Sequence, residues 1–83
     1  MNTLEQEIIR TVAEVSGVKK AEIKPGKSLY QLGIDSLSAL DTLAALEEKY
    51  DIIIPENDLK HVGSIDDIIR IVSAKLEEKK GEK

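Results

Sequence analysis

Leu32-Gly33-Ile34-Asp35-Ser36-Leu37-Ser38-Ala39-Leu40 is the stretch on which the fold of this chain turns. A glycine, an aspartate and then leucines at helical spacing mark the end of a loop and the start of an amphipathic helix. Asp35 is the expected N-cap, because a carboxylate there accepts from the unpaired N–H groups of the first turn. The helix runs from Ser36 to Tyr50, with Leu37, Leu40, Leu43, Leu46 and Tyr50 as its expected buried stripe. Ser36 puts a hydroxyl at the helix start, where the partial positive charge of the backbone favours an attached phosphate.

Working outward, Leu4, Ile8, Val12 and Val15 form one apolar stripe, which predicts a helix over 3–16 with a Thr3–Gln6 capping box and a stop at Gly17. Residues 17–35 form a long connection with a turn signal at Pro25-Gly26. Its apolar residues Val18, Ile23, Leu29, Tyr30, Leu32 and Ile34 are expected to pack on the core. Ile52-Ile53-Ile54 reads as an extended, buried connector, and Pro55 as the first position of a short helical turn over about 55–61. Ser64 and Asp67 resemble a second cap pair, opening a helix marked by Ile65, Ile68, Ile69, Val72 and Leu76. The fold class is therefore all-α, a bundle of three main helices plus one short helix with a long first loop. One domain is expected over 1–76, with 77–83 as a frayed, charged tail.

At 83 residues the chain has a modest core, and its two tyrosines, Tyr30 and Tyr50, are its only aromatic residues. It has no cysteine, hence no disulfide, thiolate metal site or thiol nucleophile. That fits a cytoplasmic setting, and no apolar run is long enough to span a membrane. The first ten residues do not form an apolar signal segment. The net charge of −4 is uneven: residues 35–58 hold seven acids against one base, Lys49. Such a face disfavours nucleic acid and suits basic protein partners. His61 is the only histidine, and no triad or calcium-loop pattern surrounds it. No catalytic or metal-ligating set is therefore expected. The helical stripes suffice for one internal core, so a monomer is expected.

The run Leu32-Gly33-Ile34-Asp35-Ser36-Leu37 resembles the Asp-Ser-Leu signature of acyl carrier proteins. The similarity continues through Ala45-Leu46-Glu47-Glu48-Lys49-Tyr50-Asp51, Ile54-Pro55 and the last helix, and so covers nearly the whole chain. The resemblance implies a carrier and not an enzyme. A phosphopantetheinyl transferase, using coenzyme A and Mg²⁺, would attach 4′-phosphopantetheine covalently to Ser36, and acyl groups would ride on the thiol of that arm as thioesters. Asp35 would help engage the transferase, Gly33 would permit a turn or a close approach, and Leu37 would be a recognition contact. Asp41, Glu47 and Glu48 would dock basic patches on partners. Those partners would be an acyl-loading ligase or transferase and synthase or acyltransferase enzymes of fatty acid, polyketide or specialised lipid biosynthesis.

Two departures favour a specialised carrier over a housekeeping one. Ser38 stands where many fatty-acid carriers have an acid, and Asp41 is shorter than the glutamate often found there. Lys60 and His61 add positive character in the same direction. Two other readings stay open at this point. One is an aminoacyl, D-alanyl or peptidyl carrier; the other is a carrier-like adaptor with no prosthetic group. The small residues Ala39, Ala44 and Ala45 are expected to let helices part around an acyl chain.

Overall fold

The structure, a computed structural model, describes residues 3–24 and 26–81. Among them the chain forms four α-helices: α1 (Thr3–Ser16), α2 (Ser36–Tyr50), α3 (Glu56–Leu59) and α4 (Ile65–Gly81). A 3-10 turn spans Lys20–Glu22, and no strand occurs among the described residues. This is the all-α bundle expected from the helical stripes. Pro25 of the expected turn lies outside the described residues, although the Lys27 N–H does bond the Lys24 carbonyl at 2.9 Å. α1 is helical from Thr3, the first described residue, and the cap at its start, for which the Thr3–Gln6 box was expected, lies outside the described residues.

The helix ends follow from local chemistry. At the end of α1, Gly17 takes a φ of +81° and its N–H bonds the Ala13 carbonyl at 2.9 Å. This left-handed step costs glycine nothing. At the end of α2 the same step falls to Asp51, with φ +54°. It is held there by Lys79, whose Nζ donates to the Tyr50 carbonyl at 3.2 Å and the Asp51 carbonyl at 3.0 Å. α4 continues past the expected stop at Leu76 to Gly81, so the stretch that reads as a frayed tail supplies this anchor. The apolar stripe ends at Leu76, but nothing in Glu77–Lys80 opposes helix.

The core lies where three helices meet. Ile8 and Val12 of α1 pack with Leu43 and Leu46 of α2 and with Ile65, Ile68 and Val72 of α4. The long first loop adds Ile23, Leu29 and Ile34, and the connector adds Ile52 and Ile54. Fully burying one such side chain contributes about 1.5–3 kcal/mol.

Four apolar residues expected inside are outside: Leu37 is 68% exposed, Leu40 50%, Tyr30 91% and Ile53 80%. Ile53 alternates outward because the connector is extended and its neighbours point in. Thr11 and Thr42 are buried instead; their hydroxyls donate to the Glu7 and Ser38 carbonyls, each at 2.9 Å, which leaves the methyl for the core.

α1 and α2 run antiparallel. The Tyr50 hydroxyl donates to Glu7 Oε1 at 2.7 Å, so the end of α2 lies beside the start of α1. Burial, together with this hydrogen bond to the Glu7 carboxylate, pushes the Tyr50 hydroxyl up to about 12. The other end of α2, with Ser36, faces the long loop and the start of α4. There the Leu29 N–H bonds the Gly63 carbonyl at 2.9 Å, and Ser28 bridges to Ser64.

Candidate functional site

The approach to Ser36 is a helical turn that stops abruptly. The Ile34 N–H bonds the Leu29 carbonyl at 2.9 Å and the Gly33 N–H bonds the Tyr30 carbonyl at 3.0 Å, the paired pattern of a Schellman end. Gly33 sits at its left-handed position with φ +78°. A Cβ added there would meet nothing within 4 Å, so the glycine serves the turn and not a close approach. The turn seats Ile34 in the core and brings Asp35 out to begin α2.

Asp35 is extended, and its Oδ1 accepts the Ser38 N–H at 2.8 Å. That backbone hydrogen bond, above all, holds the Asp35 carboxyl below the ordinary range. The side-chain cap is thus made by Asp35 and not by Ser36. The serine is the first residue of α2, is exposed, and its hydroxyl has no hydrogen-bond partner among the described residues. Because the Asp35 carboxylate already sits at the first turn on the Ser38 N–H, this helix start presents a hydroxyl more than it cradles a free anion.

Beside Ser36 opens a cleft of about 400 Å³. Leu29 and Ile34 of the loop, Ala39, Leu40 and Leu43 of α2, and Leu59 and Val62 around α3 line it, with Asp35 and Ser36 at its edge. Of the three alanines, Ala39 borders this cleft, while Ala44 and Ala45 do not. Leu37 and Leu40 stand exposed on the first turns of α2, flanking the serine with apolar surface.

The acids separate. Asp41 is exposed on the second turn, but Glu47 and Glu48 lie about 16–18 Å from Ser36 along the helix axis at 1.5 Å per residue. Glu48 is exposed, whereas the Glu47 Oε2 accepts the Ile54 N–H at 2.8 Å and is committed to holding the connector. Lys24, Lys27, Lys60 and His61 are exposed on the segments flanking α2. Among the described residues no cluster of side chains is fit to hold a metal, and no helix is long and apolar enough to cross a membrane.

Residues 6–72 match the family model described as the phosphopantetheine attachment site. A meromycolate extension acyl carrier protein of Mycobacterium leprae is 37% identical over 99% of this chain and 75% of its own length. A non-reducing polyketide synthase of Emericella nidulans is 39% identical over 83% of this chain, a match that spans only 3% of the synthase. The crystal structure of an acyl carrier protein from Thermotoga maritima superposes with a TM-score of 0.80, covering 94% of this chain and 98% of that one at 22% identity.

Proposed function

This chain belongs to the acyl carrier protein family, whose members carry phosphopantetheine and are carriers rather than catalysts, and we propose that Ser36 is the residue that bears its 4′-phosphopantetheine. The observation that carries this reading is the division of labour at the start of α2. Asp35 caps the helix, and the hydroxyl of Ser36 is left exposed and unpartnered among the described residues. The arm supplies a terminal thiol, on which acyl groups are held as thioesters and which this cysteine-free chain does not have. Asp35 and the exposed Leu37 present a charged and an apolar contact to the transferase that loads the serine. Asp41 and Glu48 offer charge to basic partner surfaces, tuning encounter more than affinity.

The cargo is an aliphatic acyl chain, in fatty acid, polyketide or specialised lipid biosynthesis. The apolar lining of the cleft beside Ser36 supports this. A buried methylene contributes about 0.8 kcal/mol, so four of them give about 3 kcal/mol, a large share of a small domain's stability. The partners are the phosphopantetheinyl transferase, an acyl-loading ligase or transferase, and synthases or acyltransferases.

The test is intact mass after incubation with coenzyme A, Mg²⁺ and a broad-specificity phosphopantetheinyl transferase. Addition of one phosphopantetheine to the natural protein and none to Ser36→Ala is the expected result. No addition with several transferases would leave an adaptor that shares only the fold.

A further inference from the structure

The two walls of the cleft beside Ser36 are held differently. On one side Leu43 is anchored in the core on a long helix. On the other, Leu59 and Val62 belong to α3 and the turn after it. α3 has four residues, none of them buried. The turn is closed by the His61 N–H on the Asp58 carbonyl at 3.1 Å and the Val62 N–H on the Leu59 carbonyl at 3.2 Å, both short-range 3-10 bonds.

Leu59 and Val62 pack against the core, and from behind α3 is tied to α4 by an ion pair. Asp58 Oδ2 lies 3.4 Å from Lys75 Nζ of α4, and the two side chains are 34% and 21% exposed. The same ammonium lies 3.9 Å from Glu78 Oε1, one turn farther along α4. Lys75 therefore has two seats, one on the wall and one on its own helix. The connector before α3 is fixed independently, by Glu47 on the Ile54 N–H and by Lys79 on Asp51. On the far side Gly63 is fixed too, its carbonyl accepting the Leu29 N–H and its N–H donating to Asp67, so α3 is the short piece between two anchors.

We propose that Lys75 sets the size of the cargo the cleft admits: seated on Asp58 it latches α3 against α4, and shifted to Glu78 it releases that wall. The inference rests on Ser36 bearing the arm and the cleft receiving the cargo. Glu78 matters because a half-buried ammonium left without a partner is costly, and a second acceptor within reach removes that cost. Lys75 and Glu78, neighbours on one helix face, thus act on the wall with opposite sign.

The experiment is amide hydrogen exchange on the unloaded protein, comparing Lys75→Met, Asp58→Asn and Glu78→Gln. Loss of Lys75 or Asp58 should speed exchange at Leu59–Val62 about fivefold, and loss of Glu78 should slow it, with Ile8 and Val12 of α1 unchanged in all three. Lys75→Met keeps the apolar stem, so a packing role alone would not move α3. A second arm loads saturated acyl chains of increasing length and follows Tm. The gain should level off at longer chains in Lys75→Met than in the natural protein, and at shorter chains in Glu78→Gln. Exchange shifts of the same sign in Lys75→Met and Glu78→Gln, or a level-off point common to all variants, would overturn the proposal. Normal α3 exchange responses with no variant accepting phosphopantetheine would strike the Ser36 reading, and the cargo role with it.

Discussion

Two helices of this molecule begin with a serine and an aspartate, and they use them in opposite order. At the start of α4 the two side chains close on each other: the Asp67 N–H donates to Ser64 Oγ at 3.3 Å, and Asp67 Oδ2 accepts the Ser64 N–H at 3.1 Å and the Gly63 N–H at 2.9 Å. At the start of α2 the aspartate comes first and caps alone, so the serine beside it is surplus to the fold. A serine that caps is spent on structure. A serine that follows a capping aspartate is exposed, fixed in position by the helix, and available for chemistry.

This contrast is open to breaking. The largest effect expected is on modification: Ser36→Ala abolishes phosphopantetheine addition, read by intact mass, while Tm stays within error of the natural protein. A drop of several degrees in Tm would mean that Ser36 also holds the fold. Next in size is Asp67→Ala, which loses two backbone acceptor bonds and the 3.4 Å contact with Arg70. It should cost about 2 kcal/mol in denaturant unfolding without affecting addition. Ser64→Ala, the mirror of the first variant, should accept phosphopantetheine fully and lose about 1 kcal/mol, or about 4–8 °C in Tm.

Acid sharpens the comparison further. Hydrogen bonds from the Gly63 N–H to Asp67, and from the Ser38 N–H to Asp35, hold both carboxyls below their ordinary values. A carboxyl depressed in the folded state adds stability that is fully present above its unfolded value, about 3.9, and is lost as pH falls through the folded one. Tm should therefore be insensitive to these two groups above about pH 5 and decline below about pH 4. The decline should be shallower in Asp67→Asn, and an equal slope in that variant would remove Asp67 from the account.

Much of this was legible in the sequence. The starts of α2 and α4 were, because capping residues act on N–H groups two or three positions away. Gly17 and Gly33 were, because only a turn asks for their backbone. The exposed hydroxyl of Ser36 at the helix start was legible for the same local reason. Burial on α2 was not: Leu37 and Leu40 share the spacing of Leu43 and Leu46, and only the topology decides that the first pair has nothing packed over it. Thr42 hides in the core because its hydroxyl bonds within its own helix, which polarity scales do not register. Glu47 looked like a docking acid, but its partner, the Ile54 N–H, depends on how the chain turns at Asp51. The links between Tyr50 and Glu7 and between Lys75 and Asp58 join residues far apart in sequence, where no local pattern points to the pairing.

The placement of the two tyrosines gives the molecule its own optical probes. With no tryptophan or phenylalanine present, near-ultraviolet absorption and emission come from Tyr30 and Tyr50 alone. Tyr30 stands in solvent at the border of the cleft, while Tyr50 is tied to Glu7 at the opposite end of α2. Replacing Tyr50 with phenylalanine leaves a single chromophore at the mouth of the cleft, and replacing Tyr30 leaves one that reports the α1–α2 contact. Events at the two ends of the bundle can then be followed separately in solution without attaching any dye.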